Sequence, residues 1–212
     1  MKIELKNIHF SEQLSEETKA FSANVYIEGV KAGTASNRGR GGPTVCKAAD
    51  EKGDKLIIAA EKYCHSLPSE KSGLGSEPHE LKMDLGRYVD KLLVKYLQDK
   101  EIQKFQKKLE KAIERGIVVG IAGKSFEVWE FTQPIGILLQ HPKGPDMIKK
   151  SLKEDIISEL TGGKIIMNTN IPQKLLEEAG LKKNQYAGPV SGETAIQQKE
   201  TENKQLRKGR KL

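Results

Sequence analysis

Ala20-Phe21-Ser22-Ala23-Asn24-Val25-Tyr26-Ile27-Glu28-Gly29-Val30-Lys31-Ala32-Gly33-Thr34-Ala35 is the stretch on which the fold turns. Phe21, Ala23, Val25 and Ile27 share one side of a period-two pattern, Glu28-Gly29 supplies turn chemistry, and residues 30 to 35 can return antiparallel. Residues 20 to 36 therefore predict a β-hairpin. Upstream, Lys2 to Phe10 places Ile3 and Leu5 on one face between Lys2, Glu4 and Lys6, the pattern of a half-buried strand. A polar stretch, Ser11 to Lys19, joins the two. Downstream, the glycine-rich Asn37-Arg38-Gly39-Arg40-Gly41-Gly42-Pro43 reads as a loop, and Thr44-Val45-Cys46 as a short fourth strand.

Helices follow the strands. Leu56, Ala59, Ala60, Tyr63, Cys64 and Leu67 recur at spacings of three and four, predicting a helix over Lys55 to Leu67 with Asp54 as its N-cap. Residues 68 to 83, with Pro68, Gly73, Gly75 and Pro78, read as a loop. Leu85, Tyr88, Val89, Leu92, Leu93, Tyr96 and Leu97 mark an amphipathic helix, and Ile102, Phe105, Leu109, Ala112 and Ile113 form a second stripe. At 100° per residue the two stripes are out of phase by about 150°. Either the helix breaks at Gln98-Asp99-Lys100, or one long helix serves two packing partners. The slip is the expected boundary between two units.

Beyond it, Gly116 is placed to end the helix. Residues 117 to 121 and 125 to 131 read as a hairpin turning at Ala122-Gly123-Lys124. Gly144-Pro145-Asp146 opens a helix reaching about Leu160, stopped by Gly162-Gly163. Lys164 to Met167 is a short strand, and Pro172 to Ala179 a last short helix. Residues 182 to 212 offer few large apolar side chains, so ordering entropy outweighs burial and a mobile tail is expected. The fold class is α+β: an antiparallel hairpin sheet with amphipathic helices over residues 1–98, a second small α+β unit over 99–181, and a flexible basic tail over 182–212.

The chain has 212 residues, with 36 Lys and Arg against 29 Asp and Glu, a formal charge of +7. Lys204, Arg207, Lys208, Arg210 and Lys211 place five of those positive charges, and no acid, in the last nine residues. Without them 31 basic residues face 29 acidic ones, so the basic character belongs to the end more than to the body. Phe131 to Pro142, a charge-free apolar stretch, is 12 residues long and broken by Pro134, Gly136 and Pro142. A bilayer span needs roughly 20 apolar residues, so no membrane helix is expected. The alternation of charge and hydrophobe over Met1 to Lys6 lacks the apolar core of a secretory signal, which points to the cytoplasm. Cys46 and Cys64 are too few and too far apart for a CxxC motif and read as reduced structural thiols.

Two features are candidate binding sites. The terminal cations Lys204, Arg207, Lys208, Arg210 and Lys211 can neutralise phosphates and release counterions without a preformed surface. A solvated end or a protein contact explains the same composition. Arg38 and Arg40, set among glycines, can approach a phosphate backbone closely, although no GxxxxGK[ST] pattern accompanies them and a hairpin connection accounts for the glycines equally well. The loop with its hairpin and following helix invites comparison with double-stranded RNA-binding domains, but Asp50 to Asp54 stands where a lysine cluster would be expected. His9, His65, His79 and His141 are scattered, no zinc spacing occurs, and adjacent Cys64 and His65 diverge by about 100° on a helix. The motifs imply no catalytic residue, no cofactor and no metal.

Lys2 to Ile8, Ser15-Glu16-Glu17-Thr18 with Phe21, Tyr26 to Gly29 and the Gly39 to Gly42 loop resemble small uncharacterised proteins of Bacteroidetes phages and mobile elements. Gly116 to Gly120, Pro142-Lys143-Gly144 and Asn168 to Pro172 are similar to the same group. The resemblance implies a phage or mobile-element origin and assigns no functional residue. The expectation is a non-enzymatic accessory protein of the bacterial host cytoplasm, binding nucleic acid through the basic tail and the Gly/Arg loop. Its rival is a protein-binding accessory, an inhibitor of host defence or a minor virion component, with a host or phage protein as partner. No membrane partner is expected, and the sequence sets no oligomeric state.

Overall fold

The computed structural model of the protein describes residues 1–72 and 79–188. Strands β1 (Ile3–Ser11), β2 (Ala20–Ile27), β3 (Val30–Asn37) and β4 (Val45–Ala48) form one antiparallel sheet in chain order. The hairpin forms because the period-two pattern presents Phe21, Ala23, Val25 and Ile27 to one side, all buried. Glu28 and Gly29 both take positive φ (49° and 80°), the two-residue turn whose twist matches its flanking strands. A bulge at Asn7 (φ 51°) shifts the register of β1 between Lys6 and His9.

Helix α1 (Glu51–His65) follows β4 and packs on β3 and β4, with an edge on β2. It begins four residues before the expected Lys55, and its N-cap is Asp50, whose carboxylate accepts from Gly53 N at 2.7 Å. Gly53 obscures the start in the sequence. It stands inside the first turn because a side chain there would overlap the Ala32 carbonyl, so its absence lets the helix touch the sheet. Val25, Ile27, Ala32 and Ala35 from the strands meet Ala60 and Cys64 of α1 and, with Leu85, Val89 and Leu93 downstream, enclose one core. Each fully buried Val, Ile or Leu contributes about 1.5–3 kcal/mol.

Within the segment expected as a loop, β5 (Glu70–Ser72) pairs antiparallel with β6 (His79–Leu81). These are three-residue strands, too short to carry a periodic signal. Helix α2 then runs unbroken from Leu85 to Arg115. Of the two alternatives for the phase slip, the continuous helix is the one observed. The chain divides into two compact units, Met1–Lys100 and the described residues from Glu101 onward. The first stripe of α2 joins the core just described, whereas Phe105, Leu109, Ala112 and Ile113 join another.

That second unit is built on β7 (Gly116–Ile121), β8 (Ser125–Glu130) and β9 (Ile165–Ile166), antiparallel in the order β8-β7-β9. Alternation along the strands gives the sheet two buried faces. Ile117, Val119 and Ile166 face helices α3 (Ile135–Gln140), α4 (Gly144–Ser151) and α5 (Gln173–Glu178). Val118 and Met167 face Ala112 and the aromatic pair Phe105 and Phe126, whose rings meet edge to face at 5.4 Å. The helix expected to Leu160 ends at Ser151 and continues as a π-helical turn, Leu152–Ile156, and a 3-10 turn, Ile157–Glu159. Ile148, Leu152 and Ile156 stay fully buried through that change of winding. Helix α3, absent from the sequence reading, hides in the apolar stretch after Phe131, where six residues and an internal Gly136 leave little helical period. Among the described residues no helix is long and apolar enough to cross a membrane.

Candidate functional site

The loop between β3 and β4 is held by one amide. Asn37 Oδ1 accepts from Gly39 N (2.8 Å) and from the Thr18 hydroxyl (2.9 Å), while its Nδ2 donates to Gly42 O (2.9 Å) and to Thr44 Oγ1 (3.2 Å). The loop tip is tied down as well. Gly39 O accepts from the backbone amides of Glu16, Glu17 and Thr18 at 2.9–3.3 Å. Gly39 itself is buried at φ 85°, and a side chain would overlap the Leu14 carbonyl, so no other residue fits there. Arg38 and Arg40 flank this anchor and are exposed. Among the described residues neither guanidinium has a hydrogen bond or an ion pair.

Both arginines line a cleft of about 600 Å³ whose floor is the cross-strand row His9, Ser22 and Ser36. Asn37, Ser11 and Glu16 complete its polar rim, with Leu14 and Phe21 as the apolar part. Two guanidiniums over hydroxyls form a donor-rich hollow, the chemistry that receives a phosphate or a carboxylate. The structure thus brings Arg38 and Arg40 together at one cleft. Lys204, Arg207, Lys208, Arg210 and Lys211 lie outside the described residues.

The other side of the same loop borders a cleft of opposite character. Gly41, Gly42 and Thr44 line about 570 Å³ together with Glu61, Asp84 and Asp90. Thr44, buried, donates its hydroxyl to Asp90 Oδ1. Burial holds the Asp90 carboxyl above its usual range; the Thr44 hydrogen bond opposes this, the Asp84 charge adds to it and Arg87 opposes it. Glu61 accepts from Leu85 N (3.0 Å) and lies 3.1 Å from His65 Nε2, and Asp84 caps α2 by accepting from Arg87 N (2.7 Å). These carboxylates hold helix ends and side chains in place. Cys46, at the cleft wall, is pushed up to about 11 by burial and then by Glu61 and Asp90, so at neutral pH it is a thiol rather than a nucleophilic thiolate. Cys64 is raised to about 11 in the same way, by burial and then Glu61. Among the described residues no group of His, Cys, Asp and Glu could hold a metal ion.

Thr18, Asn37, Thr44 and Asp90 therefore form one hydrogen-bonded chain that passes between the two clefts. Sequence reasoning found the arginines through their alternation with glycine. It missed Asn37, whose only signal was an Asn placed to form local side-chain-to-backbone turns, and it missed Thr44 and Asp90, which are 46 positions apart. The fold and site define an α+β protein with a structured Gly/Arg loop. Searches of protein families, curated proteins and solved structures find no significant match.

Proposed function

We propose that the protein is a non-enzymatic accessory protein that binds nucleic acid through phosphate contacts, with Arg38 and Arg40 as the structured element and the basic terminal segment adding affinity. The observation that carries this reading is the pair of exposed guanidiniums beside a hydroxyl-floored cleft, on a loop fixed by Asn37 and Gly39. A fixed loop loses little entropy on binding, so its contacts count nearly in full. Five cations at residues 204–211 extend the same chemistry, since each phosphate neutralised releases counterions. A phage or mobile-element setting is what the sequence resemblance implies, and it is part of the proposal.

The test is binding to duplex DNA, single-stranded DNA and RNA between about 50 and 200 mM salt. The full chain should bind at least one of them with a negative salt slope. Deleting residues 199–212 should weaken binding and flatten the slope, and Arg38→Gln with Arg40→Gln should weaken it further. If the full chain binds none of them at the lowest salt, the nucleic-acid reading is wrong. Unchanged affinity and slope after the deletion remove the tail from it.

A further inference from the structure

The sheet β1–β4 has one face against α1 and the start of α2; on the other, Lys6, Ser22, Thr34, Ser36 and Lys47 are exposed, and only its end at Ala20 is buried, beside Leu14 and Gly39. That open face is not an ordinary mixed-charge surface. Its middle row is Lys6, Asn24, Thr34 and Lys47, neighbours in that order across all four strands. The row toward the Glu28-Gly29 turn is Glu4, Tyr26 and Lys31, and the row on the other side, His9, Ser22 and Ser36, is the floor of the Arg38/Arg40 cleft. Strand spacing sets Lys6 and Lys47 about 14 Å apart, at opposite margins of the sheet. Lys6, Lys31 and Lys47 are all exposed. Acids at the face are Glu4, whose carboxylate is 2.9 Å from Lys2 Nζ, Glu28 at the turn, whose carboxylate accepts from Lys2 N (2.7 Å), and Glu16 at the cleft rim.

Between and beside the cations lie the hydroxyls of Ser22, Thr34 and Ser36, the Asn24 amide, the His9 imidazole and the Tyr26 ring. Tyr26 is half-buried in the row next to the Glu28-Gly29 turn, and Lys6 Nζ sits over its ring, 4.2 Å from the centroid. A ring under an exposed ammonium, which an incoming base would displace onto its own phosphate, in a field of hydrogen-bonding groups, matches bases laid on a sheet with their phosphates at the rim. A broad sheet face does not enter the groove of a duplex, which admits a helix or a two-stranded ribbon. We propose that the open face of this sheet is a platform for single-stranded nucleic acid, with Tyr26 stacking on a base and Lys6, Lys31 and Lys47 contacting phosphates continuous with those held by Arg38 and Arg40. This rests on the nucleic-acid reading above and names the strandedness and the surface it leaves open.

The experiment uses the full chain with fluorescein-labelled oligo(dT) and oligo(U) of roughly 15 nucleotides, and a duplex of the same length, a size within one single-strand site. Single strands should bind more tightly than the duplex. Lys6→Gln with Lys47→Gln should weaken single-strand binding about tenfold and reduce the salt slope by about 1.4, two contacts at about 0.7 each. Tyr26→Val, which keeps a strand-forming residue but removes the ring, should cost about tenfold, whereas Tyr26→Phe should bind like the parent. Circular dichroism and melting confirm that each variant is folded, and the Phe variant separates loss of the ring from loss of the hydroxyl. If the full chain binds but only the Arg38/Arg40 variant or the tail deletion weakens it, the platform is overturned while the nucleic-acid reading stands. Equal or tighter binding of the duplex overturns the platform too. No binding by the full chain overturns both.

Discussion

Asp90 shows how one half-buried group can reverse an ordinary dependence. A carboxylate with a cationic partner stabilises a fold as pH rises, but here burial dominates and the folded state keeps the proton to higher pH than the unfolded chain. Between the usual carboxylate range and the raised value, the folded state binds more protons, so this residue's contribution falls as pH rises through that window. Asp90→Asn retains an oxygen that can accept from Thr44 and removes the titration. Urea midpoints measured at about pH 4 and pH 7 should show the variant gaining on the parent at the higher pH. Equal differences at both values would mean the carboxyl is not held protonated. The same residue marks what the sequence hid: Arg38 and Arg40 could be picked out by local composition, whereas the Asn37, Thr44 and Asp90 chain that fixes their loop depends on strands and a helix meeting in space.

At the scale of elements, the junction between α2 and β7 has no loop: Arg115 ends one and Gly116 begins the other. The helix-end carbonyls need donors, and Asn168 provides them from 52 positions away. Its Nδ2 donates to Gly116 O (2.9 Å) and Ile113 O (3.3 Å), its Oδ1 accepts from Val118 N (2.7 Å), and Asn170 Nδ2 donates to Ile113 O at 2.7 Å. Asn168 is 1% exposed, so water cannot replace these bonds. Asn168→Ala should destabilise the protein by about 2–4 kcal/mol in urea unfolding, since it strands a buried amide and two carbonyl contacts. Asn170→Ala, on a more exposed side chain, should cost less. A loss below about 0.5 kcal/mol for Asn168→Ala would show the junction is held by packing alone. The hairpin from Ala20 to Asn37 was legible because its period, turn and burial agree. The start of α1, the short β5 and β6 and helix α3 were not. Gly53 and Gly136 broke the helical pattern, and three-residue strands are set by partners rather than by their own sequence. The two stripes of α2 were legible as stripes, and only the structure decides that a single helix carries both.

Across the whole molecule, each unit closes its own core. The residues packed around Val25, Ile27 and Leu93 run from Ile3 to Leu97, and those around Ile117, Val118 and Ile166 run from Phe105 to Tyr186. No residue belongs to both. Between them Gln98 to Lys104 of α2 are exposed on every side of the helix, including Ile102, so this part of α2 gains nothing from burial. A cavity in one core should therefore leave the other intact. Ile27, fully buried, is the sharpest probe: Ile27→Ala should cost the first unit about 2–5 kcal/mol. Native-state hydrogen exchange should then accelerate by roughly 30-fold or more in β2 and β3, because about 2 kcal/mol corresponds to that factor. Amides of β7, paired to β8 and β9 within the second unit, should exchange at the parent rate. Equal acceleration in β7 would mean that the exposed turns of α2 transmit unfolding and the two cores melt as one. Unchanged β7 would also license testing the sheet face by itself, because the surface carrying Lys6, Tyr26, Arg38 and Lys47 belongs wholly to the first unit.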